Sequence, residues 1–365
     1  KQEKIKNVLL YSDFGCTTGF AKVAKELVDE WAKDESTRII IFSINDFAEK
    51  PYDYLPNVKV IPALSTSKDK KDFYCRIEFL NLLYQSDFDV VFCLNDIEVF
   101  NEMGEHIKKV KTEKLKNNKP NFKSVVYFPI DSEPREKDVQ VVSLFDEAIT
   151  YTEYAKAVMK PILSDADFKK VKVIPHGCNT TDFYPYSPLA KAKAKSDIFG
   201  TDDVYVFGSV NRNSARKDLA TLIIGFALFK HSSQANALLY LHCNPKDPAG
   251  IDIYRLCDRV GLEVGKDVIV PKDFSENKGF DIEELNKIYN SFDSFITTTT
   301  SEGWGLTITE AMATKTLVIC PKHTSLTEIT DNGENTLNFM FNQQMVFVND
   351  FEKIILKYGF EIKTG

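Results

Sequence analysis

Two glutamates, Glu302 and Glu310, stand eight positions apart in "TTTTSEGWGLTITEAMATK" (297–315), on either side of a Gly-Trp-Gly turn. The residues before the turn read as a strand and those from about Thr307 as a helix, so Gly303 and Gly305 sit in a strand-to-helix turn. Such a turn offers free N–H groups and the positive end of a helix dipole, which suits a phosphate. A carboxylate at close range would repel that phosphate. The two glutamates are better matched to neutral hydroxyls on either side of it, because an ionised carboxylate can accept from two O–H donors. A phosphate flanked by two polyols is the build of a nucleotide sugar: ribose, diphosphate, sugar. A purely structural reading stands beside this one. "TITE" (307–310) is also a capping box, in which Glu310 satisfies a backbone N–H, and Glu302 is then a solvated loop charge.

The stretch "SEGWGLTITEAMA" resembles the E-x7-E signature of the family 4 glycosyltransferases, retaining enzymes of the GT-B fold. Three other segments agree. "VIPHGCNTTDFYP" (173–185) resembles the segment that ends the family's first domain, and "GSVNRNSARKDLATLIIGFALF" (208–229) its opening strand, basic loop and helix of the second. "YSDFGCTTGFAKVAKEL" (11–27) resembles its glycine-containing donor loop, so the likeness runs over nearly the whole chain.

The resemblance implies roles for particular residues. Glu302 would hold hydroxyls of the transferred sugar and Glu310 the ribose, with Gly303, Trp304, Gly305, Leu306 and Thr307 lining the donor between them. Arg212 and Lys217, five apart in "RNSARK", match the family's basic pair on the diphosphate, with Arg216 the alternative one register over. Breaking a sugar–phosphate bond develops charge on the departing diphosphate, which fixed Arg and Lys groups stabilise. The bland alternative is a basic, solvated loop. Gly19, opening the helix "FAKVAKEL", would let the first-domain loop approach the phosphates or the acceptor; otherwise it is an ordinary turn glycine. Phe274, with Lys272 and Asp273 after the strand "VIVPK", falls where the family recognises the base, mostly through backbone groups.

The chain also departs from the family pattern. Many relatives carry His-Asp at the end of a first-domain strand, where "YFPID" has Ile130 and Asp131, so the acid is kept and the imidazole is gone. Lys315 and Leu317 stand where Gly and Pro are usual, and the chain ends at Gly365, before the long C-terminal helix common in relatives.

These residues must be positioned by an alternation of apolar, β-rich runs and helical patterns. The first series has strands at 7–12, 38–44, 58–63, 89–95, 124–131, 147–152 and 171–177, and the second at 204–212, 237–243, 268–272, 294–300 and 317–322. Alternation of this kind predicts parallel sheets covered by helices on both faces. The fold class is therefore α/β: two doubly wound, Rossmann-like domains facing a central cleft. We place the N-terminal, acceptor-side domain at 1–183, a linker rich in turn formers at 184–203, and the C-terminal, donor-side domain at 204–365. Asn95 and Asp96, at the carboxyl end of a first-domain strand, join Asp131 as acceptor-side candidates.

Composition narrows the function further. The chain has 365 residues, and a net charge of −7 argues against a general nucleic-acid binder. The exception is "KKVKTEKLKNNKPNFK" (Lys108–Lys123), which could touch an anionic membrane surface or be a solvated helix end. The longest apolar run, "LATLIIGFALF" (219–229), is too short to span a bilayer, and no signal peptide is visible, the first residue being Lys1 and not Met. The seven cysteines include no C-x-x-C pair and read as reduced thiols of a cytoplasmic protein. No histidine falls in a metal-ligand spacing, and Asp87-Phe88-Asp89 precedes a strand, where its acids serve structure better than a metal. Gly15 and Gly19 do not form G-x-G-x-x-G, which counts against a dinucleotide dehydrogenase. The expectation is a retaining, metal-independent glycosyltransferase that needs no cofactor. It would move a hexose-like sugar from a nucleoside diphosphate to the hydroxyl of a glycan, lipid or protein. The alternatives are a nucleotide-sugar epimerase or hydrolase of the same architecture, or a non-catalytic nucleotide-sugar binding subunit.

Overall fold

The computed structural model describes residues 6–66, 72, 74–233, 235–271, 281–330 and 336–339. The chain divides into two compact units, Lys1–His176 and Gly177–Gly365.

The first unit holds eight strands: β1 (Lys6–Asp13), β2 (Thr37–Ile44), β3 (Tyr52–Leu55), β4 (Val58–Pro62), β5 (Val90–Leu94), β6 (Lys123–Phe128), β7 (Glu147–Thr150) and β8 (Val171–Val173). Their order in the sheet is β3-β4-β2-β1-β5-β6-β7-β8. All neighbours run parallel except the edge strand β3, which pairs antiparallel with β4. Consecutive Leu9, Leu10 and Tyr11 of β1 are all fully buried, as they must be where helices cover both faces of a parallel sheet. The helix Gly19–Trp31 follows β1 directly; Thr18 caps it by accepting from the Ala21 N–H, and Ala21, Val23, Ala24 and Val28 form its buried face.

The second unit holds β9 (Tyr205–Val210), β10 (Ala237–His242), β11 (Val268–Ile269), β12 (Ser294–Ile296), β13 (Leu317–Pro321) and β14 (Thr336–Phe339), ordered β11-β10-β9-β12-β13-β14 and all parallel. The apolar run at 219–229 lies in the helix Leu219–Ser233, which buries Leu219, Leu222, Ile223, Phe226 and Ala227. Among the described residues no helix is long and apolar enough to cross a membrane.

Strand order reverses direction at β1/β5 in the first sheet and at β9/β12 in the second. At such a switch point the loops leaving two adjacent strands diverge and open a crevice at their carboxyl ends, where doubly wound sheets bind ligands. The candidate residues fall on these loops: Gly19 and Asn95 to Asp96 in the first unit, Arg212 to Lys217 and Glu302 in the second.

The expected linker differs from the structure. The boundary between units falls at His176/Gly177, and residues Pro188–Phe199 form a helix capped by Ser187. That stretch is bound into the second unit: Asn286 accepts from the Tyr184 N–H and Asn290 from the Tyr186 N–H. The "SPLAKAKAK" sequence has Pro at a first-turn position after a serine cap, a helix-start signal that goes unnoticed because no apolar stripe follows it.

Candidate functional site

The loops after β9 and β12 are stitched together by threonines. The Thr298 hydroxyl donates to the Asp218 carbonyl (2.8 Å), the Thr299 hydroxyl to the Arg216 carbonyl (3.3 Å) and the Thr300 N–H to the same carbonyl (2.8 Å). A β-branched "TTTT" reads as strand, yet β12 stops at Ile296: the Thr297 N–H still bonds the Ile319 carbonyl of β13, but Thr298 to Thr300 bind the residues Arg216 to Asp218 instead of a neighbouring strand.

That stitching brings Arg216 and Lys217 onto Glu302. Lys217 Nζ bonds Glu302 Oε1, and Arg216 Nη1 lies 3.2 Å from Oε2 while also donating to the Ser301 carbonyl. Glu302 is 6% exposed, so it is no solvated loop charge. Burial pushes its carboxyl pKa up, but the Lys217 and Arg216 charges outweigh burial and hold it below the usual glutamate value. The site therefore contains an ionised, buried carboxylate. Arg216, the register alternative, is a working partner of Glu302.

Arg212 faces elsewhere. Its Nε donates to Asp247 Oδ2 (2.8 Å) and its Nη2 lies 3.4 Å from Oδ1. The basic pair of the sequence is thus divided between two carboxylates, Lys217 on Glu302 and Arg212 on Asp247.

Gly305 closes the Gly-Trp-Gly turn at φ 105°, a positive value that residues with a side chain rarely adopt, and a Cβ there would come within 3.1 Å of Ile308 Cδ1. The helix runs Leu306–Ala313 with Gly305 as its N-cap, so the capping box expected at Thr307 is not formed. Thr307 is already inside the helix. Glu310, 5% exposed, accepts instead from the Tyr289 hydroxyl through Oε2 (2.6 Å). Burial, then the Glu310 charge, pushes the Tyr289 hydroxyl pKa far up, so it stays a donor. Gly303 is buried, while Trp304, Leu306 and Thr307 are half-buried along the turn.

A cradle that the sequence did not single out supports this turn. After β13, the Ser325 hydroxyl lies 2.7 Å from the Glu302 carbonyl and 3.0 Å from that of Trp304, and Thr324, at φ 48°, accepts from the Glu302 N–H. His323 Nε2 lies 2.9 Å from the Thr299 carbonyl. Ser and Thr just beyond the strand in "PKHTSL" were the available signal.

In the first unit Asp13 ends β1 and accepts from Thr18 Oγ1 (2.6 Å) and Asn45 Nδ2 (2.9 Å); burial raises its pKa. Gly19 is the first residue of its helix, but close approach falls on Gly15, where a Cβ would lie 2.1 Å from the Asp46 carboxylate. Asp96 and Asp131 converge on one cavity of about 340 Å³, joined by Glu98, Ile130 and Ser132. Asn95 does not line it; buried below, it accepts from the Asp96 N–H through its side-chain oxygen (2.9 Å). Phe274, with Lys272 and Asp273, lies outside the described residues.

The Asp-Phe-Asp sequence is divided between two structural tasks: Asp87 pairs with Lys114 (3.0 Å) and Asp89 accepts from the Asn7 N–H (2.9 Å). Among the described residues no group of three or more His, Cys, Asp or Glu is placed to hold a metal ion. The lysine run is also partly engaged. Lys111 pairs with Asp146, Lys114 with Asp87, and Lys119 lies over the Tyr84 ring, while Lys108, Lys109 and Lys116 are exposed.

Residues 275–361, which span both glutamates, match the family described as "Glycosyl transferases group 1". No curated protein sequence matches the chain significantly. Among solved structures, sucrose-phosphate synthase from Thermosynechococcus elongatus is similar at a TM-score of 0.69, with 18% identity over 97% of this chain and 90% of that one. The catalytic domain of starch synthase IV from Arabidopsis thaliana, bound to ADP and acarbose, is similar at 0.64, with 13% identity over 98% and 92%. The Anabaena protein HepE, in complex with UDP and glucose, is similar at 0.63, with 16% identity over 96% and 90%. The fold is accordingly GT-B, with two Rossmann-like units, and the segment carrying Glu302 and Glu310 matches the model of the group 1 glycosyltransferases.

Proposed function

We propose that this chain, with a group 1 segment on a GT-B fold, is a retaining glycosyltransferase. It moves a hexose-like sugar from a nucleoside diphosphate to an acceptor hydroxyl without a metal ion. One observation carries the reading: at the switch point of the second sheet, Lys217 and Arg216 converge on the buried, ionised Glu302, with Arg212 on the same loop. Fixed cations at strand ends suit a diphosphate, and buried carboxylates beside them suit the hydroxyls that flank it.

In this reading Arg212 and Lys217 neutralise the departing diphosphate, Glu302 orients the transferred sugar and Glu310 the ribose. Gly303 to Thr307 and Phe274 line the donor. The leaving phosphate accepts the acceptor's proton on the face it leaves from, so the protein positions and neutralises but supplies no nucleophile. The basic groups take the electrostatic part that a metal plays elsewhere. Asp96 and Asp131, around the first-unit cavity, receive the acceptor, with Asn95 fixing the loop. The exposed Lys108, Lys109 and Lys116 are the residues through which the chain would touch an anionic membrane, and the cytoplasm is its place of work.

A panel of nucleoside diphosphates and their sugars tests the donor assignment by thermal shift, UDP and ADP first because two of the similar structures hold them. A true donor at 100 times its dissociation constant adds about 2.7 kcal/mol of stability. A flat panel overturns the reading. Ile130, in place of the imidazole found in many relatives, favours one second reading, a nucleotide-sugar binding subunit, for which donors bind tightly and no acceptor extract is glycosylated.

A further inference from the structure

We infer that Asp247 is the positioning residue for Arg212, and that the loop after β10 is a built part of the diphosphate site. The inference rests on the donor reading above. Asp247 is 1% exposed, whereas the Arg212 side chain facing it is 62% exposed. The carboxylate therefore lies on the buried side of the guanidinium, where it accepts from Nε and Nη2. A carboxylate in front of the fork would compete with an incoming phosphate. One behind it holds the fork in place.

The loops after β9 and β10 are clasped into a single piece. Asn213 Nδ2 donates to the carbonyls of Ile251 (2.7 Å) and Asn244 (3.3 Å), its Oδ1 accepts from the Ile251 N–H (3.1 Å), and the Ala215 N–H donates to the Ala249 carbonyl (3.1 Å). The approach is close enough that a Cβ on Gly250 would lie 2.1 Å from Asn213 Oδ1. Within this clasp Asp247 Oδ1 also accepts from the Ala249 N–H (2.8 Å), which fixes the carboxylate. A buried carboxylate is costly unless paired, so Arg212 is held where the diphosphate must meet it. Ordering the arginine before the ligand arrives lowers the entropic cost of binding.

Calorimetry with UDP and ADP on wild type, Asp247→Asn, Arg212→Ala and the double variant tests this. Asparagine keeps the shape and the acceptor for Ala249 but removes the charge that grips the guanidinium. We expect Asp247→Asn to weaken binding about 10-fold, the scale of one charge-assisted contact, and Arg212→Ala to cost little more in that background. Tighter binding by Asp247→Asn would make Asp247 a competitor and overturn the inference. Additive losses would overturn it too, since a scaffold effect need not pass through Arg212. Should the asparagine variant not fold, Asp247→Glu, which keeps the charge but displaces it by a methylene, must show the same loss and the same lack of additivity. If Arg212→Ala binds like wild type, the donor reading of this loop falls and the inference with it. If Arg212→Ala is weakened while Asp247→Asn is not, the inference alone is refuted.

Discussion

Replacing Glu302 by glutamine separates what this residue does for the fold from what it does for the ligand. The buried carboxylate faces Lys217, whose side chain is 13% exposed, and Arg216, 41% exposed. Removing one partner of a buried pair costs roughly 3–5 kcal/mol. Arg216 is exposed enough to recover solvation and keeps its bond to the Ser301 carbonyl, so the lower end, about 3 kcal/mol, is expected. In a unit of this size each kcal/mol lowers the melting temperature by about 2–4 °C, so the drop should be ~6–12 °C. A diphosphate restores a negative partner to Lys217. Glu302→Gln should therefore keep or improve its affinity for the free nucleoside diphosphate, gain more melting temperature from it than wild type, and transfer sugar at least ~10-fold more slowly. The pH dependence carries a sign. Because the folded pKa is depressed, the pair stabilises the protein above the unfolded value near 4.5, and that stability is lost as pH falls through the lower folded value. The glutamine variant should lose this acid-side dependence. Melting curves from pH 3 to 7 with and without UDP or ADP, beside calorimetry, decide the matter. A variant that melts like wild type, or that loses nucleotide affinity while keeping transfer, refutes the reasoning.

Two further outcomes follow from the same site. Glu310→Gln should weaken both nucleoside diphosphate binding and transfer, and Tyr289→Phe, which removes one hydrogen-bond donor at a cost of ~1 kcal/mol, should blunt the preference for ribo- over 2′-deoxyribonucleotides; a preference unchanged in both variants removes the ribose role. Transfer should survive EDTA, and abolition by chelator with rescue by manganese would return the chemistry to a metal ion.

The central strands were legible because runs such as those of β5 and β10 are apolar almost throughout, as sheets covered on both faces require. The edge strands β3 and β14 were not expected, since short segments like "YDYL" and "TLNF" mix polar with apolar residues. The candidate residues of the second unit stood out because glycine turns and charged residues punctuate the apolar pattern at strand ends. Long-range pairing was not. Nothing local in "RNSARK" says that Arg216 rather than Arg212 reaches Glu302, since that depends on the threonines after β12 binding the turn after β9. "NPKDPAG" reads as a plain turn, and Asp247 acquires meaning only from the sheet order that sets β10 beside β9. "TITE" has the letters of a capping box, but Gly305 starts the helix two residues early and Glu310 turns inward to a tyrosine 21 residues away. The helix Pro188–Phe199 was missed because alanine and lysine alternate there without an apolar stripe, and the residues that lead into it, Tyr184 and Tyr186, are fixed by asparagines 102 and 104 residues on.

The pairing of cations with carboxylates bears on how an acidic chain keeps an anion site. Arg212, Arg216 and Lys217 stand against Asp247 and Glu302, so much of the cationic charge on these loops is already balanced, in a chain that carries −7. Long-range attraction from such a site is slight and is screened within about a Debye length, ~10 Å at ordinary salt. Its hold on a diphosphate must come from contact: donors already aimed, in a partly dry setting where charge-assisted bonds are strong. Under the proposed donor reading, each buried carboxylate serves that end by fixing its cation before the ligand arrives, and Glu302 is in addition an acceptor for the hydroxyls that flank the diphosphate. The same arrangement explains why an acidic surface need not repel the donor. Repulsion between distant charges is screened, and the contacts that bind are not.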